Sequence, residues 1–394
     1  MSTPRYLDLP DQVRSVTIQS HRGPFAALEA QPARGVCERR PALLVPGFTG
    51  SKEDFIPVLQ PLASAGRRVI AIDMRGQYQS QGPVDPGGYA PSELAADVAA
   101  VADASAHDAQ GVHLLGHSLG GLIAREAALA RATPILSLTL LSSGPASLSG
   151  ERAELLRGML AALEAAGRAP GQLRAAVGKL WDDHLEPEAR ADGVPEQIIA
   201  FLHARMLSNS PTGLMVMGRY LLGCPDRTAE LANLDGPPIL VLYGENDDAW
   251  RPAVQDRMAR RLGAQRVCIP GAGHSPAVEA PETTASTLTA FWRAAEDSQR
   301  RRSINRPADR RYSGRAAPAA ASGPAASGPA ASDPAASGAP ASDPAAPGGT
   351  TSGAPASGAA ASAGASGAAT SPAPSPSHGR RGSEACLPSA QWAR

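Results

Sequence analysis

The segment VHLLGHSLGG, residues 112–121, decides the fold, because its apolar run breaks at a serine that small residues flank. The apolar half predicts a buried strand and the half after the serine predicts the start of a helix, so Ser118 falls at the apex of a sharp turn. Gly116 and Gly120 fit such a turn, since a side chain at either position would collide with the bent backbone. The pattern G-x-S-x-G is that of a nucleophile elbow, and it makes Ser118 a candidate nucleophile.

Strand-like runs recur through the first 298 residues and alternate with helical patterns. The first two runs predict an antiparallel start, and the later ones are short and apolar, as in strands that are covered on both faces. Alternation of strands and helices predicts a mostly parallel sheet in an α/β fold. The predicted strands lie near residues 13–18, 25–29, 42–45, 68–73, 112–116, 135–141, 238–243 and 266–269, with clear helices at 92–104, 119–130 and 281–295.

No convincing strand is predicted between the sixth and seventh of these strands, where three apolar stripes at helical spacing occur instead. An all-helical insertion of this length predicts a cap beside the sheet. The third stripe is apolar almost all round, and its residues Met215 and Met217 are candidates to line an apolar pocket, because methionine adapts to irregular ligands. We therefore expect a core of residues 1–143 and 237–298 and a helical cap of residues 144–236.

Residues 299–394 differ in composition from the rest of the chain. From residue 316 to residue 377 there is no Leu, Ile, Val, Met or aromatic residue, and a loose five-residue repeat places prolines at regular intervals. Such a segment cannot bury enough apolar surface to offset its ordering entropy, and its prolines block helix formation. We expect an arginine-rich junction followed by a disordered tail rich in Ala, Ser, Pro and Gly.

The formal net charge of zero hides an asymmetry between these two parts. Residues 299–394 carry ten arginines against four acidic residues, a net charge of +6, so the remainder carries −6. A mildly acidic body argues against nucleic acid as the main partner. The four cysteines show neither C-x-x-C nor regular spacing, which indicates no zinc site and no disulfide framework. With no apolar segment long enough for a signal peptide or a membrane span, we expect a cytoplasmic protein.

Two late loops contain candidates for the base and the orienting acid that a nucleophilic serine needs. Asp247 and Asp248 follow the seventh predicted strand, and His274 follows the eighth. Both loops come at the carboxyl ends of strands, where open α/β sheets place their sites. Counting from the glycine that begins the first loop selects Asp247 as the acid, whereas counting back from the proline that ends it selects Asp248. The expected chain order is Ser118, Asp247, His274, with Asp248 as the alternative acid.

These segments, in this order, resemble the α/β-hydrolase fold superfamily, of the capped serine hydrolase or esterase type, over about residues 12–298. Two more segments carry the resemblance: Pro46-Gly47-Phe48 after the third predicted strand, and Asp73-Met74-Arg75-Gly76 after the fourth. The resemblance implies a mostly parallel, eight-stranded sheet flanked by helices, with a helical cap inserted into it. It covers the part of the chain that precedes the predicted tail.

The resemblance also implies a role for each matching residue. Ser118 would attack an acyl carbonyl, His274 would take its proton, and Asp247 would hold the imidazole in the right tautomer. The backbone N–H groups of Phe48 and Leu119 would hold the developing oxyanion. No cofactor or metal is implied.

The residue type at the elbow narrows the reaction. Epoxide hydrolases and haloalkane dehalogenases of this fold use an aspartate there, whereas proline iminopeptidases typically have a tryptophan where this chain has Leu119. We expect hydrolysis of a carboxylic ester, thioester or lactone of a small, largely apolar substrate, with Trp250 near the site because it neighbours Asp247. Acyl transfer and cofactor-free perhydrolysis of the haloperoxidase type remain open alternatives that use the same residues, as does a non-catalytic ligand-binding role.

Overall fold

A computed structural model describes residues 2–34, 39–106, 111–167 and 169–304. The tail that is predicted to be disordered lies, from residue 305 onward, outside the described residues, as do Cys37 and Cys386. Residues 299–304 of the predicted junction are described and belong to the helix Pro281–Ile304, which extends past its predicted end at residue 295. Arginines in its last turn favour this extension, since cations stabilise the carboxyl end of a helix.

One sheet of eight strands organises the chain. The strands are β1 (Val13–Ser20), β2 (Gly23–Ala30), β3 (Arg39–Val45), β4 (Arg67–Ile72), β5 (Val112–His117), β6 (Ile135–Leu141), β7 (Ile239–Gly244) and β8 (Gln265–Ile269). Their order in the sheet is β1-β2-β4-β3-β5-β6-β7-β8. The pairs β1–β2 and β2–β4 are antiparallel and the remaining pairs are parallel, which confirms the mostly parallel sheet and its antiparallel start.

Helices fill the connections between the strands. They are α1 (Ile56–Ser64), α2 (Pro91–Ser105), α3 (Leu119–Ala130), α4 (Glu151–Ala165), α5 (Pro170–Leu180), α6 (Glu186–Ala191), α7 (Glu196–Ser208), α8 (Pro211–Gly223), α9 (Thr228–Ala232), α10 (Pro252–Leu262), α11 (Pro276–Glu279) and α12 (Pro281–Ile304). Short 3-10 helices cover Lys52–Phe55 and Pro86–Tyr89, and a π-helical turn covers Trp181–Leu185. Within the described ranges, no helix combines the length and the apolar character needed to cross a membrane.

Strand β5 lies at the centre of the sheet, between β3 and β6, and all six of its residues are buried. Leu114 packs into the apolar cluster under α2 and α3, whereas Leu115 packs into the cluster under α1 and α12 on the opposite face. Alternate side chains of a strand point to opposite faces, so a strand that is covered on both faces must be apolar on both. Each such leucine contributes about 1.5–3 kcal/mol through burial. The central position of β5 follows from this continuous apolar run.

The connection between β6 and β7 contains helices α4 to α9 and, among its described residues, no strand. The three apolar stripes that the sequence predicts form the buried faces of α4, α7 and α8. Trp181 is fully buried at the π-helical turn, where its Nε1 donates to Glu186 at 3.1 Å and its ring stacks on His203. The helical insertion that the sequence predicts is therefore present.

Buried polar contacts fasten this insertion to the loops after β3 and β4. Arg205 of α7 forms an ion pair with Asp54, with 2.7 Å between Nη1 and Oδ1, and neither side chain is exposed beyond 2%. Beyond α7, the Ser210 N–H donates to the Gly76 carbonyl at 2.8 Å. Breaking a buried ion pair by removing one partner costs about 3–5 kcal/mol, because the other charge stays buried. These contacts hold the insertion against the carboxyl edge of the sheet.

The glycine at the end of β5 provides a test of the packing around the turn. A Cβ on Gly116 would lie 2.1 Å from the Gly120 carbonyl oxygen, whereas one on Gly158, in the exposed middle of α4, would meet nothing within 4 Å. We expect Gly116→Ala to lower the free energy of unfolding by about 1–3 kcal/mol or more through overpacking. Gly158→Ala should raise it by about 0.4–1 kcal/mol. Urea denaturation measures both, and equal stabilities would contradict the packing described.

Candidate active site

Ser118 occupies the turn between β5 and α3 with a strained backbone. Its φ of 53° and ψ of −118° lie outside the regions that L-residues ordinarily adopt. Its N–H donates to the Leu141 carbonyl of the neighbouring strand at 2.9 Å, which anchors the turn to β6. A Cβ on Gly120 would lie only 2.4 Å from the Pro46 carbonyl oxygen, so the first turn of α3 presses against the loop after β3. The serine is thus fixed at the carboxyl edge of the sheet.

The structure brings Ser118, His274 and Asp247 into one chain of hydrogen bonds. The distance from Ser118 Oγ to His274 Nε2 is 3.0 Å, and that from His274 Nδ1 to Asp247 Oδ1 is 2.9 Å. A carboxylate can only accept, so Nδ1 carries the ring proton and Nε2 is left to accept the serine hydroxyl proton. The histidine side chain is therefore oriented as a base toward the serine.

Asp247 is almost completely buried, with 3% of its surface exposed. Burial raises the pKa of this carboxyl, but the charge and hydrogen bond of His274 and donors from neighbouring groups outweigh it, so the pKa lies below its usual value. The donors are the Gln255 side-chain amide, at 2.8 Å from Oδ2, and the Ala249 N–H, at 3.0 Å from Oδ1. Asp247 is therefore ionised at neutral pH and held in one orientation.

The neighbouring carboxylate, Asp248, points elsewhere. Both of its oxygens accept hydrogen bonds from Arg152 of α4, each at 2.8 Å, in a bidentate ion pair. Of the two acids that the sequence leaves open, the structure places Asp247 rather than Asp248 against His274.

The two backbone groups expected to bind an oxyanion lie on segments that flank Ser118. Leu119 is the first residue of α3, and the first N–H groups of a helix have no partner within the helix and carry partial positive charge. Phe48 follows Gly47, where an added Cβ would lie 3.1 Å from the Ser118 Cβ. The loop after β3 therefore runs directly against the serine. This arrangement suits a negative charge that develops beside Ser118.

The residues predicted to contact substrate lie in different surroundings. The Trp250 ring lies 6.3 Å from the His274 ring, measured between centroids, and its Nε1 donates to the Ala146 carbonyl at 3.0 Å. Met217 is buried in the apolar face of α8, and Met215 is half-buried on the same helix. Contact of these three side chains with substrate stays a prediction.

Three further polar residues support the segments that contain Asp247 and His274. Glu279 and Gln255 carry no signal in the sequence pattern, whereas His117 lies within the elbow segment, where a packed residue is expected. The His117 ring lies 5.0 Å from that of His274, and its Nε2 donates to the His274 carbonyl at 2.8 Å. Burial and the neighbouring His274 lower the pKa of His117 to about 3, so it is a neutral packed residue. Glu279 accepts hydrogen bonds from the N–H groups of Gly273 and Ser275, on either side of His274. Gln255, described above, is the third.

Asp182, Asp183 and His184 are side chains of the types that bind metal ions, and they follow one another in the sequence. All three are exposed, and Asp183 forms an ion pair with Lys179 on the same helical face. Within the described chain, no group of three or more His, Cys, Asp or Glu side chains is placed to hold a metal ion.

A comparison with models of protein families identifies the family of this chain. The model of the alpha/beta hydrolase family matches residues 42–287, which include Ser118, Asp247 and His274. The chain belongs to this family. The match confirms the resemblance seen in the sequence and the fold class of the described residues.

The individual relatives resemble this chain over only part of its length or at low sequence identity. The chain is 38% identical over 109 residues to the "Putative carbamate hydrolase RutD" of Variovorax paradoxus, which covers 28% of this chain and 40% of that protein. It is 28% identical over 254 residues to the dihydrolipoyllysine-residue acetyltransferase component of the acetoin cleaving system of Pseudomonas putida, covering 64% of this chain and 63% of that one. A solved thermophilic esterase from Thermogutta terrifontis shares the fold, with a TM-score of 0.53, 24% identity, and 72% and 99% of the two chains covered. The chain thus spans less than two thirds of the two sequence relatives.

The positive φ of Ser118 leads to a test that does not depend on activity. We expect Ser118→Gly to be more stable than Ser118→Ala by about 1 kcal/mol, because glycine adopts positive φ without steric cost. Both variants lose the hydroxyl, so the difference in unfolding free energy reports the backbone. At Ser286, exposed within α12, the glycine variant should instead be the less stable by about 1 kcal/mol. The same order at both positions would argue against strain at Ser118.

Proposed function

We propose that this protein is a serine hydrolase that cleaves a carboxylic ester, thioester or lactone of a small, largely apolar substrate through an acyl-enzyme on Ser118. The observation that carries the proposal is the chain of hydrogen bonds from Ser118 through His274 to Asp247. A serine hydroxyl is a weak nucleophile at neutral pH, and an adjacent base that is itself oriented by a third group activates it.

In the acylation step, Ser118 Oγ attacks the carbonyl carbon of the substrate while His274 Nε2 takes the hydroxyl proton. The carbonyl oxygen becomes an oxyanion, which the N–H groups of Phe48 and Leu119 stabilise. One such donor typically contributes about 3–4 kcal/mol to lowering the barrier. The imidazolium, stabilised by Asp247, then gives its proton to the departing alkoxide or thiolate.

In the second step, His274 removes a proton from water, which attacks the acyl-enzyme. The bond between the acyl carbon and Ser118 Oγ then breaks, His274 returns the proton to Oγ, and the carboxylic acid is released. An alcohol or amine in the place of water would give acyl transfer with the same residues. Similarity to a protein named as an acetyltransferase component keeps this as the second candidate. The two differ only in the nucleophile that meets the acyl-enzyme.

The helical insertion contacts the loop that contains Asp247. Arg152 of α4 pairs with Asp248, next to the acid, and the Leu148 N–H donates to the Leu221 carbonyl of α8 at 2.8 Å. We therefore retain residues 144–236 as a cap over a core of residues 1–143 and 237–298, with α8 as a wall of the pocket. A cytoplasmic location also stays a prediction.

Hydrolysis of p-nitrophenyl esters from acetate to decanoate tests the proposed function. We expect Ser118→Ala to lower kcat by at least about 10⁴-fold on every ester that the native chain cleaves, because the acyl-enzyme cannot form. The best chain length gives the size of the pocket, and added alcohol measures the partition between transfer and hydrolysis. Equal activity of native chain and variant would contradict the nucleophile. Binding without turnover by the native chain would favour a ligand-binding role.

The two adjacent carboxylates provide a matched pair of variants. Asp247→Asn should lower kcat by about 10⁴-fold, since an amide at this place favours the wrong histidine tautomer. Asp248→Asn loses one part-exposed ion pair with Arg152, so we expect kcat within a few-fold of native and a stability change of about 0–1 kcal/mol. Steady-state kinetics on the best ester distinguish the two. A larger loss in the Asp248 variant would assign the acid to Asp248.

A further inference from the structure

The turn after β4 contains a buried side-chain amide that reaches the loop beside the nucleophile. Gln77 is completely buried, and both ends of its amide are engaged. Its Oε1 accepts the Met74 N–H at 3.2 Å, and its Nε2 donates to the Gly47 carbonyl at 2.8 Å. The side chain therefore bridges two loops and cannot turn over without losing both hydrogen bonds.

The geometry points to Gln77 as a positioning residue that orients the Phe48 N–H toward the oxyanion, an inference that rests on the proposed function. The Gly47 carbonyl and the Phe48 N–H belong to one peptide group. A peptide group is planar and normally trans, so the two bonds point in opposite directions. A donor that fixes the direction of the Gly47 oxygen therefore also fixes the direction of the Phe48 N–H.

The loop after β3 needs such a contact because its own conformation is strained. The Gly50 N–H also donates to the Gly47 carbonyl, at 3.1 Å, and closes a tight turn. Within this turn Thr49 has a φ of 57°, a region that a β-branched residue rarely adopts. Residues in such regions persist only when surrounding contacts fix them. The Gln77 amide is one of those contacts.

Gln77 is itself held by contacts from two directions. On its amino side, the Gly76 carbonyl accepts the Ser210 N–H at 2.8 Å, and on its carboxyl side the Tyr78 N–H donates to Asn209 Oδ1 at 3.2 Å. Both partners belong to the segment between α7 and α8. The helical insertion thus clamps the turn that carries Gln77, and through Gln77 it supports the Phe48 peptide.

A misdirected Phe48 N–H would affect the reaction more than substrate binding. The charge on the oxygen is larger in the tetrahedral state than in the bound carbonyl, so the loss appears in kcat. Loss of one complete oxyanion donor typically costs 10²–10³-fold in kcat. A donor that is present but poorly aligned should cost less, and we expect a loss of about 10–10²-fold.

Two variants and a matched control test this inference on the full chain. Gln77→Met removes both hydrogen bonds at similar volume, and Gln77→Leu removes them with a branched apolar side chain. We expect both to lower kcat on the best ester by about 10–10²-fold with KM within twofold. Gln79→Met, two residues further on and exposed, should leave both constants unchanged. If a Gln77 variant fails to fold, Gln77→Asn, whose amide is too short to reach Gly47, replaces it.

A second measurement separates this inference from the proposed function. A p-nitrophenyl alkylphosphonate would phosphonylate Ser118 and release p-nitrophenol, and its developing oxyanion would occupy the same place as that of an ester. We expect the rate of labelling, followed by intact mass, to fall by a similar factor in the Gln77 variants. Native protein that is labelled but cleaves no ester would overturn ester hydrolysis while the labelling rates still test Gln77. Unlabelled native protein would overturn both proposals.

Two results would contradict the role of Gln77. Unchanged kcat and labelling rates in folded Gln77 variants would show that the Phe48 peptide needs no such support. A rise in KM with unchanged kcat would show that Gln77 shapes the substrate pocket rather than the oxyanion donor.

Discussion

The constraint on which the site depends is the close approach of three backbone segments at Ser118. The end of β5, the first turn of α3 and the loop after β3 come so near that a methyl group on Gly116 or Gly120 would overlap a backbone oxygen. This contact forces the positive φ of Ser118, brings the start of α3 next to the hydroxyl and presses the Phe48 loop against it. One steric condition thus fixes the position of the proposed nucleophile and of both segments that are proposed to bind the oxyanion. Hydrogen bonds to His274 and Asp247 then complete the arrangement.

A second serine–histidine–carboxylate contact in the same molecule shows why position matters more than the residue types. His113 Nδ1 lies 2.7 Å from Ser137 Oγ, and its Nε2 lies 3.1 Å from Glu296 Oε1. Both Ser137 and His113 are completely buried, and burial lowers the pKa of this histidine to about 4. His113 lies near the start of β5, whereas Ser118 follows its carboxyl end. No substrate can reach this group, because it is buried. Its hydrogen bonds instead join β5, β6 and α12.

The sequence predicts those parts of the fold that repeat a pattern. The bounds of β6 and α3 match their prediction, because apolar spacing and the glycines around Ser118 determine them locally. The sequence favours Asp247 as the acid but leaves Asp248 open as the alternative, since the distinction depends on the turn in which Asp247 accepts the Ala249 N–H. Gln77 escapes prediction for a related reason. Its effect arises where two loops from different strands meet, and a single amide side chain leaves no periodic signal in the chain.

Backbone strain is concentrated at the carboxyl edge of the sheet. In the described part of the chain five residues other than glycine have positive φ, and four of them follow the successive strands β3, β4, β5 and β6: Thr49, Tyr78, Ser118 and Ser142. Each such residue costs about 1–3 kcal/mol and persists only where its surroundings fix it. Part of this support comes from the helical insertion, since Asn209 accepts the Tyr78 N–H and Arg205 pairs with Asp54 beside the Thr49 loop. The insertion therefore stabilises the strained loops that surround the serine.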